Sequence, residues 1–411
     1  MQKKLIALAV AGLASTGAFA QANVTVYGVA DASFDVVRIS GDANNELGNT
    51  TRVSTNSSLL GFKGAEALGN GLTAVFQYET AVGFDNTTST SGALGANRDS
   101  YVGLAGGFGT VVLGNLTGPT RALGAAVDVN AGATGIGANS GLLGKLGNNL
   151  IGTTDAGGNY GGGSTCARSS TCTSIFDTRW KNAIAYVSPS FAGLNATVAY
   201  VANENKALHG LPAVNTSGYD VGLKYANGPA MAAVTYNAVS LGNSNASFGG
   251  DSTKVSDLRI GGSFSFGPAS IRALFDLARA DNYTHPNTSI GALGKVTQAV
   301  YGLGATFNVT PASKLLGQVY VARDLKVNGS SLDDTGAKLF EVGVEHSLSK
   351  RTMLKATYAM INNDKGAAYD FGINAAGLNP AGTATASGLP AGASTVGGTV
   401  QGISLGLRHT F

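Results

Sequence analysis

The amino-acid sequence predicts an all-β fold: a transmembrane β-barrel of about sixteen antiparallel strands. Three observations support this prediction. From Asn23 onward, segments of about ten residues alternate between apolar and polar side chains, as in strands with one apolar and one wet face. The connections between them are alternately short and long, unlike the connections of soluble sandwiches. The polar faces carry charges, which a dry core would not tolerate unpaired but a water-filled lumen would.

The first twenty residues predict export. Lys3 and Lys4 precede an apolar run at residues 5–13, and Ala18-Phe19-Ala20 has the small-x-small pattern of a cleavage site. We therefore expect a signal peptide at residues 1–20 and one barrel domain at residues 21–411. No other run approaches the ~20 apolar residues of a spanning helix, so a helical membrane protein is excluded.

Composition limits the class of protein further. The chain is 44% hydrophobic and only 12% charged, which argues against disorder. Its formal charge of +3 gives no reason to expect a nucleic-acid partner.

The strand segments can be followed along the chain. The first covers residues 24–37, and the next two, 59–66 and 72–82, meet at Asn70-Gly71, a tight-turn signal. Segments 101–104 and 110–114 form another hairpin. Later Pro, Gly and Ser clusters mark five further short turns. The long polar connections are predicted at residues 39–51, 85–97, 117–177, 204–217, 242–253, 283–294, 328–336 and 362–398.

Alternation also assigns side chains to the lumen. Ile271, Phe275 and Leu277 alternate with Arg272 and Asp276, so the charged members face inward. A structural ion pair is the alternative role for any one of these charges, but together they set the field that ions feel. The inward basic residues are Lys63, Arg179, Lys181, Arg259, Arg272, Lys355 and Arg408, and the inward acidic residues are Asp31, Glu79, Asp99, Asp220, Asp276, Glu341 and Glu345.

The last segment, VQGISLGLRHTF, places Ile403, Leu405 and Leu407 on the same face as the terminal Phe411. An ordinary edge strand is the alternative to a barrel strand here. The segments VTVYGVADASFD, SLLGFKGAEALGNGLTAVFQYE, NRDSYVGLAGGFGTVVLGN, NAIAYVSPSFAGL, EHSLSKRT and GISLGLRHTF resemble, in this order, the general outer-membrane porins of Gram-negative β-proteobacteria, related to neisserial porins.

The resemblance implies a homotrimer of sixteen-stranded barrels in outer-membrane lipid, each with its own channel and no cofactor. It implies that the barrel-assembly machinery reads Phe411, and that the third loop folds into the lumen. That loop, residues 117–177, carries Arg121, Lys145 and Arg168 against Asp128, Asp155 and Asp177. A solvated surface loop is the alternative, but long loops in compact domains are usually functional.

The resemblance also bears on ion selectivity. Relatives keep wall arginines opposite the third loop, and Arg98 and Arg179 are retained here, next to Asp99. Leu59 and Asn115 stand where relatives often carry Arg, so we expect only a weak anion preference. The constriction is therefore predicted to include Lys63, Arg98, Asp99, Arg121, Asp128, Arg179, Lys181, Arg259 and Arg272. We expect Asp31, Glu341 and Glu345 nearer the mouths, where salt screens them.

Two cysteines, Cys166 and Cys172, lie in a Gly/Ser/Thr-rich stretch of the third loop. Export and the even count predict one local disulfide. A metal site would need further ligands nearby, and no His or second acidic cluster accompanies them.

These observations predict a water-filled channel for passive diffusion of ions and small hydrophilic solutes. A surface adhesin that binds through its long loops is one alternative, and planar-bilayer recording discriminates between the two. A substrate-specific porin is another, but Tyr101 and Tyr320 are too few for an aromatic ladder. An enzyme is not expected, since no G-x-S-x-G or H-E-x-x-H motif is present.

Overall fold

The computed structural model describes residues 23–41, 47–84, 97–146, 174–202, 217–240, 254–284, 292–371 and 397–411. The predicted signal peptide and the Cys166–Cys172 disulfide lie outside these ranges. The described residues form nineteen β-strands, one α-helix and two short 3-10 helices. None of these helices is long and apolar enough to cross a membrane.

The strands follow the segments of alternating sequence. In chain order they are β1 (Asn23–Ser40), β2 (Leu47–Thr55), β3 (Leu59–Gly69), β4 (Leu72–Ala81), β5 (Ser100–Gly106), β6 (Gly109–Thr117), β7 (Arg179–Val187), β8 (Leu194–Val201), β9 (Ser217–Asn227), β10 (Ala230–Ser240), β11 (Lys254–Phe266), β12 (Ala269–Thr284), β13 (Ala292–Asn308), β14 (Ser313–Ala322), β15 (Leu325–Val327), β16 (Ser330–Leu332), β17 (Ala337–Ser347), β18 (Thr352–Asn363) and β19 (Thr399–Thr410).

All of the described strands belong to one antiparallel sheet that closes on itself. Strands β2 and β3 both pair with β1 and act as a single barrel strand, while β15 and β16 form a small hairpin in a long loop. The barrel therefore has sixteen strands, which confirms the predicted fold class. The closing seam joins β1 to β19, from the pair Val29 and Thr410 to the pair Ser40 and Thr399.

The break between β2 and β3 lies at residues 56–58. Ser57 has a φ of 58°, which ends the strand locally. The Asn56 amide donates to the Asp31 carbonyl at 2.9 Å, and the Asp31 amide donates to Ser58 Oγ at 2.8 Å. The chain is thereby held to β1 across the break, and Ser57 lines the lumen at mid-height.

Short turns and long loops lie at opposite ends of the barrel. The β3–β4 turn uses Asn70 and Gly71 with φ of 51° and 75°, as the Asn-Gly signal predicts. The first long connection differs from the prediction of residues 39–51, because β1 continues to Ser40 and β2 begins at Leu47. The polar run there stays extended because Arg52 faces inward and pairs with Asp35 at 3.1 Å.

The outer face of the barrel is apolar. Ile271 is 47% exposed on this face, whereas Asp276, which points inward from the same strand, is fully buried. Near the long-loop end, however, the inward residues are also apolar and buried, including Val37, Leu339 and Ile361. The lumen there is filled by packed side chains from the loops, so the prediction of a polar inner face holds only at mid-height and below.

The C-terminal residue lies at the seam. The Phe411 amide donates to the Gly28 carbonyl at 3.1 Å, and the Gly28 amide donates to the Phe411 carbonyl at 3.0 Å. The Phe411 ring stacks on His409 and lies directly over Gly28, where any Cβ would meet it. The ring itself remains 51% exposed, so it is accessible for recognition.

Deleting Phe411 should impair outer-membrane assembly while leaving synthesis intact. The deletion removes two backbone hydrogen bonds at the seam and the exposed terminal ring. Fractionation and heat-modifiability on gels would measure the assembled fraction. Phe411→Tyr, which keeps the aromatic ring and both backbone bonds, is the matched control and should assemble normally. Normal assembly of the deletion variant would contradict the prediction.

Candidate functional site

The third loop begins at the end of β6 and turns into the lumen through α1 (Pro119–Val127). Gly118 precedes the helix and permits a close approach, because a Cβ there would overlap the Asp220 carboxylate. Thr120 Oγ1 donates to Asp220 Oδ1 at 2.6 Å, and Trp180 Nε1 donates to Asp220 Oδ2 at 3.2 Å. Asp220 therefore fixes the start of the loop to the wall at β9.

Arg259 fixes both ends of the loop to the wall. Its guanidinium donates to Asp177 Oδ1 at 2.6 Å and Oδ2 at 2.8 Å, and its Nη1 donates to the Thr120 carbonyl at 3.3 Å. Its Nε donates to Asp276 Oδ2 at 2.6 Å, and Asp257 lies 3.0 Å from Nη2. Arg259, Asp257 and Asp276 are all fully buried. A charge-assisted bidentate pair in such a site is a strong contact. We call Arg259, Asp177, Asp257 and Asp276 the Arg259 cluster, and this cluster anchors the loop.

Carboxylates hold the part of the third loop that follows α1. One, Asp128, belongs to the loop, and two, Glu341 and Glu345, belong to β17 in the barrel wall. Asp128 accepts hydrogen bonds from the Asn130 amide at 2.8 Å and the Asn139 amide at 2.7 Å. Asn130 Nδ2 also donates to Glu341 Oε2 at 2.9 Å, and Gln318 Nε2 donates to the same oxygen at 2.7 Å. The loop then continues to Glu345, which accepts from the Ala131 amide at 3.0 Å.

The inner side of the loop packs into a dry core. Leu142 and Leu143, next to the 3-10 helix η1 (Asn139–Gly141), are fully buried. They belong to one apolar cluster with Tyr369 and Phe371, which follow β18 and are themselves fully buried. Tyr369 OH donates to Gln298 Oε1 at 2.6 Å. The eighth long loop thus also enters the lumen at its start, behind the third loop.

A passage is bounded by the third loop on one side and by Ser57, Arg98 and Arg179 on the other. A polar cavity of about 170 Å³ marks this gap at mid-height. Its charged lining residues are Arg98, Arg121, Arg179 and Asp177. Its other lining residues are small or polar: Ser57, Thr117, Gly124, Ala125, Gly132, Ala133, Asn139 and Ser140. The charged residues that line the passage are therefore predominantly basic.

The three arginines at this passage, the arginine cluster, differ in their partners. Arg98 Nε pairs with Glu79 Oε2 and Arg179 Nε with Asp99 Oδ1, each at 3.3 Å. Arg121, on α1, has no hydrogen-bond or ion-pair partner in the part of the chain that the structure describes. Burial, and next the charge of Arg179, lower the pKa of Arg121 to about 10, so it remains protonated at neutral pH.

The structure therefore brings together four of the predicted constriction residues, Arg98, Asp99, Arg121 and Arg179. The 3-10 helix η2 (Ile175–Asp177) adds Asp177 beside them. Arg98 lies just before β5 and Arg179 begins β7, so the pairings of β4 to β7 bring both to one side of the lumen.

Four other predicted residues lie elsewhere in the lumen. Lys63 is exposed, with Nζ 5.0 Å from the Tyr27 ring, in the strand region toward the short turns. The Arg272 side chain donates through Nη1 to the backbone carbonyl of Asp128 in the third loop. Arg259 and Asp128 face inward but are almost fully buried, because the loop covers them. They hold the constriction in place and do not line it.

Two further expectations need correction. Lys181 is exposed, while the adjacent Trp180 is buried against Asp220, so Trp180 takes the inward position. Asn182, with a φ of 53°, interrupts the alternation that placed Lys181 inward. Asp31 and Glu341 lie near the middle of β1 and β17 and not near the mouths, whereas Glu345 lies toward the short-turn end of β17. All three are buried, and Asp31 pairs with Lys355 at 2.6 Å and Arg408 at 2.8 Å.

Sequence reasoning missed the inward fold of the eighth loop. The segment around Tyr369 and Phe371 was assigned to a polar connection. The two aromatic residues, two positions apart in a stretch otherwise rich in Gly and Ala, are the signal that could have revealed it.

A model of the Gram-negative porin family matches residues 7–366. The chain is 31% identical over 415 residues to outer membrane porin protein 32 of Delftia acidovorans, covering 100% of both chains. It is 28% identical to major outer membrane protein P.IB of Neisseria lactamica, covering 89% of this chain and 95% of the relative.

Two solved structures of outer-membrane proteins have a fold similar to that of this chain. The anion-selective porin from Comamonas acidovorans superposes with a TM-score of 0.70 at 25% identity, covering 95% of this chain and 100% of that chain. OmpT of Vibrio cholerae in its trimer form superposes with a TM-score of 0.59 at 13% identity, over 95% of this chain and 99% of that one. At that identity the likeness shows the fold alone.

Proposed function

We propose that this chain, which belongs to the Gram-negative porin family, forms a channel that prefers small anions weakly, and that the arginine cluster provides the preference. As a family member it is an outer-membrane β-barrel through which ions and small hydrophilic solutes diffuse passively. The selectivity and the residues responsible for it are the part that we infer from the constriction.

The observation that carries the proposal is Arg121, which lines the passage and has no hydrogen-bond or ion-pair partner among the described residues. Arg98 and Arg179 add positive charge beside it, but their fields are reduced by Glu79, Asp99 and the nearby Asp177. Fixed charge acts most strongly where the lumen is narrow and water is scarce. The constriction has a net positive charge, but two of its three arginines are paired with carboxylates. This arrangement supports a weak preference for anions. The anion selectivity of the Comamonas relative agrees with this sign.

Planar-bilayer recording tests the proposal. In a KCl gradient, we expect stable open steps and a reversal potential displaced toward the chloride equilibrium potential. The displacement should shrink as salt rises, because the Debye length falls from about 10 Å at 0.1 M to about 3 Å at 1 M. A reversal potential displaced toward potassium would overturn the anion preference. Absence of open steps from assembled protein would contradict channel function and favour the adhesin alternative.

The anion preference should also weaken at high pH. Arg121 carries its charge below its pKa of about 10 and loses it as pH rises through that value. We expect a constant reversal potential from pH 6 to 8 and a smaller displacement near pH 10. Arg121→Gln serves as the control, since its reversal potential should change much less between pH 8 and 10. An equal change in the variant would assign the titration to another group.

We further propose that the chain assembles as a homotrimer, is exported by the signal peptide at residues 1–20, and is inserted by the barrel-assembly machinery. The trimer form of OmpT, which has the same fold, supports the first of these. The exposed ring of Phe411 at the seam supports recognition during insertion. Native mass spectrometry of detergent-extracted protein would measure the oligomeric state directly, and a monomeric channel would contradict the trimer.

A further inference from the structure

Lys145, in the third loop, is a buried lysine. It is 3% exposed, and the adjacent Leu146 is also buried. The Ser174 hydroxyl donates to the Gly144 carbonyl at 3.0 Å, and the Gly144 amide donates to Asp276 Oδ1 at 3.4 Å. The backbone next to Lys145 is therefore fixed, and its side chain has little access to water.

The first residues of the eighth loop, 364–371, meet the third loop at this point. Residues 142–143 share one apolar cluster with Tyr369 and Phe371. Asp370 is buried beside these two aromatic residues, and among the surrounding charges it has the largest effect on Lys145. Asn363 fixes the segment, because its Nδ2 donates to the Tyr369 carbonyl at 2.9 Å and its Oδ1 accepts from the Tyr369 amide at 2.8 Å. Lys145 thus lies at the contact between the two loops.

The nearby carboxylates do not offset the cost of burying the ammonium group. Lys145 makes no ion pair within the described ranges. Asp177 is engaged by two N–H groups of Arg259, and Asp370 accepts a hydrogen bond from the Phe371 amide at 2.7 Å. Burial lowers the pKa of Lys145 to about 8, and Asp370 and then Asp177 oppose this shift only in part. The charged side chain is therefore more stable in water than between the loops.

From this arrangement we propose that Lys145 is a proton-controlled joint between the third and eighth loops. When the amine is protonated, the joint opens more often, because the ammonium group regains water outside the apolar contact. When the amine is neutral, the joint stays closed. Opening separates residues 142–146 from residues 367–371 and loosens the loop that carries Arg121, so it changes the current through the passage.

The closed joint binds fewer protons than the open one over a defined range of pH. A lysine in water has a pKa of about 10.4, whereas that of Lys145 in the closed joint is about 8. Between these values closure becomes more favourable as pH rises, because the open state must lose its extra proton. The open population should therefore fall about tenfold from pH 7 to pH 9.

Other charged groups also surround Lys145. The eighth loop, η2, β11 and β12 contribute Asp370, Asp177, Arg259, Asp257 and Asp276. Any titration of these carboxylates is present whether or not residue 145 carries an amine. A variant that lacks the amine therefore separates their contribution from that of Lys145.

Single-channel recording at pH 7, 8 and 9 tests the joint. In the unmodified protein, the time spent in transient departures from the main conductance level should fall about tenfold from pH 7 to pH 9. Lys145→Met should show such departures at pH 7 as rarely as the unmodified protein at pH 9, with no dependence on pH. Lys145→Arg, which stays charged, should keep them frequent throughout. Lys365→Met removes an exposed lysine of the eighth loop and is the matched control, which should behave like the unmodified protein.

Hydrogen exchange at pH 7 gives a second measurement that does not rest on the proposed channel function. Lys145→Met should slow amide exchange about tenfold in residues 142–146 and 367–371 together, because both segments exchange through the same opening. An unchanged main conductance level shows that each variant has folded. The proposal is overturned if the departures in the unmodified protein do not decline by pH 9, if Lys145→Met keeps the pH dependence, if Lys365→Met loses it, or if only one segment changes its exchange rate.

Discussion

Replacing Arg121 with glutamate should reverse the ion preference of the channel. The residue lies at the passage and has no hydrogen-bond or ion-pair partner among the described residues, so the substitution breaks no such contact. Exchanging one positive for one negative charge at ~5 Å from a permeating ion changes its energy by roughly 1–2 kcal/mol in water. Chloride and potassium shift in opposite directions, each by about tenfold, so the chloride-to-potassium permeability ratio should fall by roughly a hundredfold, measured as the reversal potential in a KCl gradient.

Two further variants test whether the effect is specific to charges at the passage. Arg179→Glu should act in the same direction but also removes the pair with Asp99. Glu345→Gln should shift the reversal potential little, because Glu345 is buried, pairs with Lys314 and does not itself line the passage. If Arg121→Glu leaves the reversal potential unchanged while Glu345→Gln moves it, the narrowest part of the passage lies on the other side of the loop.

Replacing Arg259 with leucine should release the third loop. The variant leaves Asp177, Asp257 and Asp276 without the cation that joins them. Removing one partner of a buried ion pair typically costs 3–5 kcal/mol. Because the barrel hydrogen bonds are not involved, we expect the loss to appear as detachment of the loop. Single-channel recording should show larger and noisier steps, and added protease should cut near residues 118–146 faster.

Arg279→Leu is the matched control for this experiment. It also removes an arginine that pairs with an aspartate, but Arg279 lies outside the barrel and its side chain is 45% exposed. Exposed pairs contribute about 0–1 kcal/mol, so conductance and protease sensitivity should stay unchanged. Equal effects from both variants would mean that general destabilisation, and not loop release, explains the result. A quiet channel of normal conductance in Arg259→Leu would show that other contacts suffice to hold the loop.

The sequence was most informative where the physical cause is local. Strand alternation has a period of two, so it assigned Arg272 and Asp276 inward and Ile271 outward without knowledge of the fold. It failed at Lys181 because a single bulge, at Asn182, shifts the register by one residue. Such a bulge leaves no clear trace in composition.

The roles of the inward charges could not be predicted from alternation alone. Arg259 and Glu341 do face inward, but whether they meet water depends on a loop that is distant in sequence. The same holds for Tyr369 and Phe371, whose burial needs the side chains of the third loop. Arg121 was included in the constriction only because the resemblance placed its loop in the lumen.

The β1–β19 seam has a consequence for how the barrel forms. Every other barrel pairing joins strands that are consecutive along the chain, whereas the seam joins its two ends. Closing a loop of nearly the whole chain directly would cost roughly 5 kcal/mol of entropy. Successive hairpins bring the ends together first, so the seam forms last and at little extra cost. Until then, both end strands expose unpaired edges. Ring closure is therefore the step at which the chain either becomes a complete barrel or remains open to pairing with another molecule.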